Sequence, residues 1–285
     1  MPVSTWAIAE PRKLTFDEPV TALSVRIVNG TVNVVGTDEP TARLEVSDIE
    51  GPPLIVTQHD GVLTVAYEDL AWQNLLKWLD SKGWQRRAVV SLAVPAGSAV
   101  EVGVVGAGAF VSGVRGRTEV RGVTGDTTLV GLAGPVGAET VSGNVEAQAV
   151  TGELRFHSVS GDLTVVEGAG ARVTAESVSG NMVLDLDPTA KPTDVRLATI
   201  SGELAIRLPH PADARVEANT ASGSVSNGFE DLRVSGQWGA KKITGTLGSG
   251  TGKLRATTVS GSIALLRRPP AEDDQHDAEP TGKVL

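Results

Sequence analysis

From Gly116 onward a glycine returns every nine residues, at positions 116, 125, 134, 143, 152 and 161. With one residue inserted, Ala171 takes the slot and Gly180 restores it. So strict a spacing leaves few folds open. Two places after the slot stand Thr118, Thr127, Val136, Val145, Leu154, Leu163, Val173 and Met182. Four places after it stand Val120, Leu129, Ala138, Ala147, Phe156, Val165, Ala175 and Leu184. Side chains two apart on a strand share a face, so these two columns predict one buried face of a short strand. Seven places after the slot come Val123, Leu132, Val141, Val150, Val159, Gly168 and Val178, across the glycine corner. Nine residues hold one short strand and one tight turn. Stacking such units brings like residues over like and predicts a β-solenoid with a continuous apolar interior. Glycine at each corner is expected to supply a positive φ, and the Ser or Thr before it to bond nearby backbone.

The echo continues at wider spacing through Gly202, Gly223, Gly245 and Gly261. The V-S-G steps at Gly143, Gly161 and Gly180 lie 18 and 19 apart, so two units are expected to make one coil of about 18 to 22 residues. DPTAKPTD (187–194) and PHPADA (209–214) read as bulging loops. Upstream, residues 20–67 alternate as strands without the nine-residue lock, and Asn29-Gly30 and Asp60-Gly61 read as hairpin turns. This stretch predicts a β cap over the solenoid end, where an open edge needs cover.

DLAWQNLLKWLD (69–80) predicts the one helix, because Trp72, Leu75, Leu76 and Leu79 fall on a single stripe. Trp78 and Trp84 lie close by, which makes Trp72, Trp78 and Trp84 candidate partner-binding residues. The organisation expected is an N-terminal arm (1–19) and a single β-repeat domain (20–267), followed by a disordered acidic tail (268–285). Within the domain, 20–100 holds the capping strands and helix, and 101–267 the Gly-rich repeats.

Aromatic residues make up only 4% of the chain, so Val, Leu and Ala must carry the core. The net charge of −9 argues against a nucleic-acid partner, and the basic pairs Lys241-Lys242 and Arg267-Arg268 read as solvated surface. With no Cys there is no disulfide framework, thiolate metal site or Cys nucleophile. The first residues lack a basic stretch followed by an apolar one, and no apolar run is long enough to span a bilayer. A cytoplasmic location is the expectation.

Motifs for chemistry fail one by one. GSGTGKL (248–254) has Leu247 and Leu254 where a phosphate loop needs Gly and Ser or Thr. His59, His157, His210 and His276 lack metal-ligand spacing, and Asp recurs only at 126 and 162, too rarely for calcium-binding nonapeptides. Glu119, Glu146, Glu153, Arg155 and Asp162 are the residues a polysaccharide-cleaving β-helix could use, but every solenoid carries outward polar residues in such columns. No catalytic residue, metal or cofactor is expected.

VSLAVPAGSAVEV (90–102), the V-S-G-[DN]-[VLM] steps at 141–145, 159–163 and 178–182, and the entry pair VRIVNGTVNVVG (25–36) together resemble DUF4097, a bacterial β-strand-repeat family of unknown function whose members are named adhesins. The likeness covers roughly residues 20–267 and implies an all-β, solenoid-like fold. The expected function is that of a non-enzymatic protein-binding or scaffold protein. The alternative is a carbohydrate-binding or carbohydrate-active β-helix protein.

Overall fold

The computed structural model describes residues 3–68, 86–187, 194–237 and 239–269. Among them are 26 strands in two sheets, one of fourteen strands (sheet A) and one of twelve (sheet B), and no helix. The helix expected at 69–80, with Trp72, Trp78 and Trp84, lies outside the described residues.

The entry strands are β1 (Ser4–Ile8), β2 (Arg12–Phe16), β3 (Ala22–Ile27), β4 (Asn29–Thr37), β5 (Ala42–Glu50), β6 (Leu54–His59), β7 (Val62–Ala66) and β8 (Arg87–Pro95). The regular coils follow as β9 (Ala99–Val104), β10 (Gly108–Ser112), β11 (Thr118–Gly122), β12 (Thr127–Val130), β13 (Val136–Thr140), β14 (Val145–Gln148), β15 (Leu154–Ser158), β16 (Leu163–Gly168), β17 (Arg172–Ser177), β18 (Met182–Leu186), β19 (Asp194–Thr199) and β20 (Leu204–Leu208). The last strands are β21 (Ala214–Thr220), β22 (Val225–Asn227), β23 (Leu232–Gln237), β24 (Ala240–Leu247), β25 (Gly252–Thr258) and β26 (Ile263–Arg267).

From β9 to β20 the chain alternates between the sheets, and every pairing is parallel to the strand one coil away. Val136 pairs Leu154 at a separation of 18, and Val173 pairs Val195 at 22. One coil is therefore two nine-residue units. The columns two and four places after the slot are buried throughout, from Thr118 and Val120 to Met182 and Leu184. They interdigitate between the sheets with Phe156 among them. Burying each such aliphatic side chain contributes about 1.5–3 kcal/mol, so the stacked rows supply the main driving force.

The glycines serve a purpose other than the expected one. Gly143, Gly161, Gly180 and Gly202 are absent from the left-handed region. A Cβ on Gly161 would lie 2.0 Å from the Gly143 carbonyl oxygen, and one on Gly180 would lie 2.0 Å from that of Gly161. The backbones pass too closely for any side chain. At each step a hydroxyl three residues earlier accepts the glycine N–H, as Ser158 does from Gly161 at 2.7 Å. The opposite corner has its own ladder, with Gly152 over Gly134 and Gly170 over Gly152, so Gly170, not Ala171, holds the slot.

Positive φ sits elsewhere, at Gly113, Gly131, Ala149 and Glu167, which recur every 18 residues at one corner only. Each turns the next residue, Val114, Leu132, Val150 or Gly168, into the core. The other corner has no left-handed residue, and there Val141, Val159 and Val178 point outward. The column seven places after the slot is thus half core and half surface.

Three further expectations are corrected at the ends. Asp60-Gly61 does close the antiparallel β6–β7 hairpin, but Asn29-Gly30 carries the chain from sheet A to sheet B without pairing β3 to β4. Residues drawn as an N-terminal arm contain β1 and β2, antiparallel to β6 and β5. The late glycines do not stack in chain order. β25 and β26 insert beside β19 and β20, so Gly261 stacks on Gly202 and Gly223 on Gly261, while Gly245 lies in the antiparallel β24. Antiparallel strands thereby flank the parallel stack at both ends of sheet A, which covers edges that would otherwise pair with other chains.

Candidate functional site

Two surface features arise from this stacking. The first is the outward corner. Val141, Val159, Val178, Ile200 and Val259 succeed one another coil by coil, each 46–52% exposed. Hydrogen bonds fix the succession: Ser160 N to Val141 O at 2.8 Å, Ser179 N to Val159 O at 2.9 Å, and Val259 N to Ile200 O at 3.1 Å. Four inter-strand steps make this aliphatic ridge about 19 Å long. The serines beside it turn their hydroxyls onto the same carbonyls, Ser160 to Val141 at 3.3 Å and Ser179 to Val159 at 3.3 Å. Their donors are used up, and the ridge presents methyl groups. On its far side Asp126, Asn144, Asp162 and Asn181 form a ladder in which each side-chain oxygen accepts the backbone N–H one coil on, at 2.7–3.1 Å. That accounts for the sparse Asp recurrence, and the described residues hold no cluster suited to a metal ion.

The second feature lies on the outer face of sheet A, over β17, β19, β25, β21, β24 and β23 in sheet order. It is an open cleft of about 1020 Å³. Arg172, Arg196, Arg215, Arg233, Lys242, Lys253 and Arg255 line it, against only Asp194 and Glu217. Strand alternation puts the cations outside: Lys253 and Arg255 flank buried Leu254, and Arg196 stands between buried Val195 and Leu197. Glu217 bonds Lys242 at 3.0 Å and Arg255 at 3.1 Å. Those contacts, Lys242 first, hold its carboxyl below the ordinary carboxylate range. Arg196, Arg215, Arg233 and Lys253 have no ion-pair partner among the described residues.

The basic pairs singled out in the sequence divide between settings. Lys242 belongs to the cleft. Arg267 meets His210 at 2.7 Å, and Arg268 reaches the buried carboxylate of Asp185 at 3.0 Å beside Arg207. Arg268 thus closes the last coil, although the sequence places it in the tail. The GSGTGKL segment is the turn after β24 and the first residues of β25, and the amides of Ser249, Gly250 and Thr251 face an internal anion. Asp213 accepts from the Thr251 hydroxyl and from the Thr251 N–H at 3.1 Å, and these bonds, hydroxyl first, hold its carboxyl below the usual range.

The candidate polysaccharide-cleaving residues do not converge. Glu119 pairs with Arg117, and Glu153 with Arg155 and Arg172, along sheet A. Glu146 stands on sheet B, and Asp162 belongs to the corner ladder. His157 is half exposed, 3.8 Å from Glu176. The cleft itself escaped sequence reasoning because its cations are scattered between residues 172 and 255 on six different strands. The available signal was their position beside inward aliphatics, unit after unit.

A two-sheet, mostly parallel β-solenoid with an aliphatic corner and one basic outer face is the class these features define. The chain belongs to the Toastrack DUF4097 family, whose model matches residues 114–266. No curated protein matches the chain. Among solved structures it is similar to a "putative lipid binding protein" from Parabacteroides distasonis, at 11% identity over 92% of this chain and 98% of that one, with a TM-score of 0.49. It is also similar to a "putative cell adhesion protein" from Clostridium sporogenes, at 12% identity over 91% and 100%, with a TM-score of 0.22. At those scores neither likeness carries an argument about function.

Proposed function

We propose that the protein is a non-enzymatic, cytoplasmic binding scaffold that engages another protein along the ridge of Val141, Val159, Val178, Ile200 and Val259. The observation that carries this reading is the alignment of five half-exposed aliphatic side chains in one line. Soluble proteins rarely leave contiguous apolar surface open without a use, and such surface commonly marks an interface. Backbone ladders on either side hold the line straight, so little ordering cost attends docking.

The test is affinity capture from the soluble fraction of the native cell, comparing wild type with Val159→Asp/Val178→Asp. Both positions are exposed, so circular dichroism and melting temperature should be unchanged. A partner captured by wild type and lost in the variant supports the reading. An unchanged set of partners refutes it. A partner lost only in Trp72→Ala/Trp78→Ala also refutes it, and moves the site to the 69–85 segment.

A further inference from the structure

We infer that the basic cleft on sheet A binds a linear anionic glycan, with successive sugars lying across successive strands. This site is separate from the ridge and does not depend on it. The cleft crosses six strands, and every one of them contributes a cation. Neighbouring strands are about 4.8 Å apart, close to the length of one pyranose unit, so an extended acidic polysaccharide presents one charge per strand. Six strands give a track of about 24 Å.

Arg196, Arg215, Arg233 and Lys253 keep their donors uncommitted to any carboxylate among the described residues, although the chain as a whole is acidic. A surplus of cations on an acidic protein has to be held against the general trend of its surface, and five of the seven are arginines. The guanidinium fork matches carboxylate and sulfate groups in two-point contact. Glu217, half-buried between Lys242 and Arg255, fixes the direction of those two cations and provides an acceptor for sugar hydroxyls. Thr174, Thr244 and Thr246 add neutral hydroxyls to the lining.

The lining argues against other polyanions. It contains no aromatic side chain, and single-stranded nucleic acids are held largely by base stacking on aromatic rings. Its apolar members, Val216 and Leu254, are buried in the core and provide nothing to insert into a bilayer.

The experiment uses the full chain and fluorescently labelled oligosaccharides of eight sugars: oligogalacturonate for carboxylate, a heparin fragment for sulfate, and a dextran fragment as the neutral control. Binding is read by anisotropy at low and at physiological salt. At least one acidic oligosaccharide should bind, weakening as salt rises, with dextran inert. Arg196→Ala/Lys253→Ala should weaken binding at least tenfold, whereas Lys13→Ala/Arg43→Ala at the far end of the molecule should leave it unchanged. Both variants alter exposed side chains, and their melting temperatures confirm folding. If a variant fails to fold, the salt dependence and the dextran control on wild type still decide. Absence of binding to either acidic oligosaccharide would overturn the inference. So would equal binding by both variants, or tighter binding of an oligothymidylate of matched charge.

Discussion

Replacing Gly161 with alanine tests the close-packed corner directly. The φ of Gly161 lies outside the left-handed region, so conformational reasoning alone predicts a gain of about 0.4–1 kcal/mol from a stiffer unfolded chain. The stacking predicts the opposite. The new methyl would stand 2.0 Å from the Gly143 carbonyl oxygen, 2.9 Å from its carbon and 3.0 Å from Ser158 Oγ. An ordinary carbon–oxygen contact is roughly 3.3 Å or more, so the coils must part by over ~1 Å. They are tied at that corner by Ser160 N to Val141 O at 2.8 Å and Val145 N to Asp162 O at 2.9 Å. Stretching two such bonds costs about 0.5–1.5 kcal/mol each. Strain from the added methyl costs a further ~1–3 kcal/mol. Gly161→Ala should therefore lose about 4 kcal/mol, or roughly 10 °C in melting temperature. Gly97→Ala is the internal control, because nothing lies within 4 Å of a Cβ there and its φ is ordinary. It should be neutral or slightly stabilising. Urea unfolding followed by circular dichroism gives both values. If the two variants agree within ~1 kcal/mol, the stacked-glycine account is wrong.

Two further outcomes follow from the same geometry. Ala149 carries φ +51 at the inward corner, so Ala149→Gly relieves strain of about 1–2 kcal/mol, partly offset by chain entropy, and should raise the urea midpoint slightly. Burial pushes the Tyr67 hydroxyl up to about 12, opposed by the nearby Arg86 charge. Its proton is retained in the folded state after the unfolded chain has lost it near 10, so stability holds below pH 10 and declines as pH rises toward 12; a tyrosinate absorbance titration checks this, and a midpoint near 10 in folded protein would refute it.

Much of the fold is legible in the sequence because burial repeats with the strand. Thr118 and Val120 mark one wall, and nine residues later Thr127 and Leu129 mark the other. What the periodicity cannot convey is direction at the corners. Val150 and Val159 hold equivalent places in the repeat, yet the left-handed Ala149 turns one inward while the other remains outside. Nothing in the residue type separates them. The order of the last coils is hidden for another reason. β25 displaces β21 as the neighbour of β19 through hydrogen bonds between segments about 59 residues apart, as Val195 to Leu254 shows, and local pattern does not encode such pairing. The basic cleft depends on that order. Arg196 and Lys253 are neighbours only because β25 lies against β19, so their convergence is invisible along the chain.

The alternation of the corners is the central claim, since the ridge and the inward core rows both follow from it. The chain contains no cysteine, so single substitutions report cleanly. The direct measurement is the labelling rate of a maleimide on native protein carrying Val159→Cys or Val150→Cys, positions nine residues apart in the same column of the repeat. The account predicts rapid labelling at 159, half exposed on the ridge, and protection at 150, buried in the core, until the protein is unfolded. Equal rates at the two positions in folded protein would contradict it.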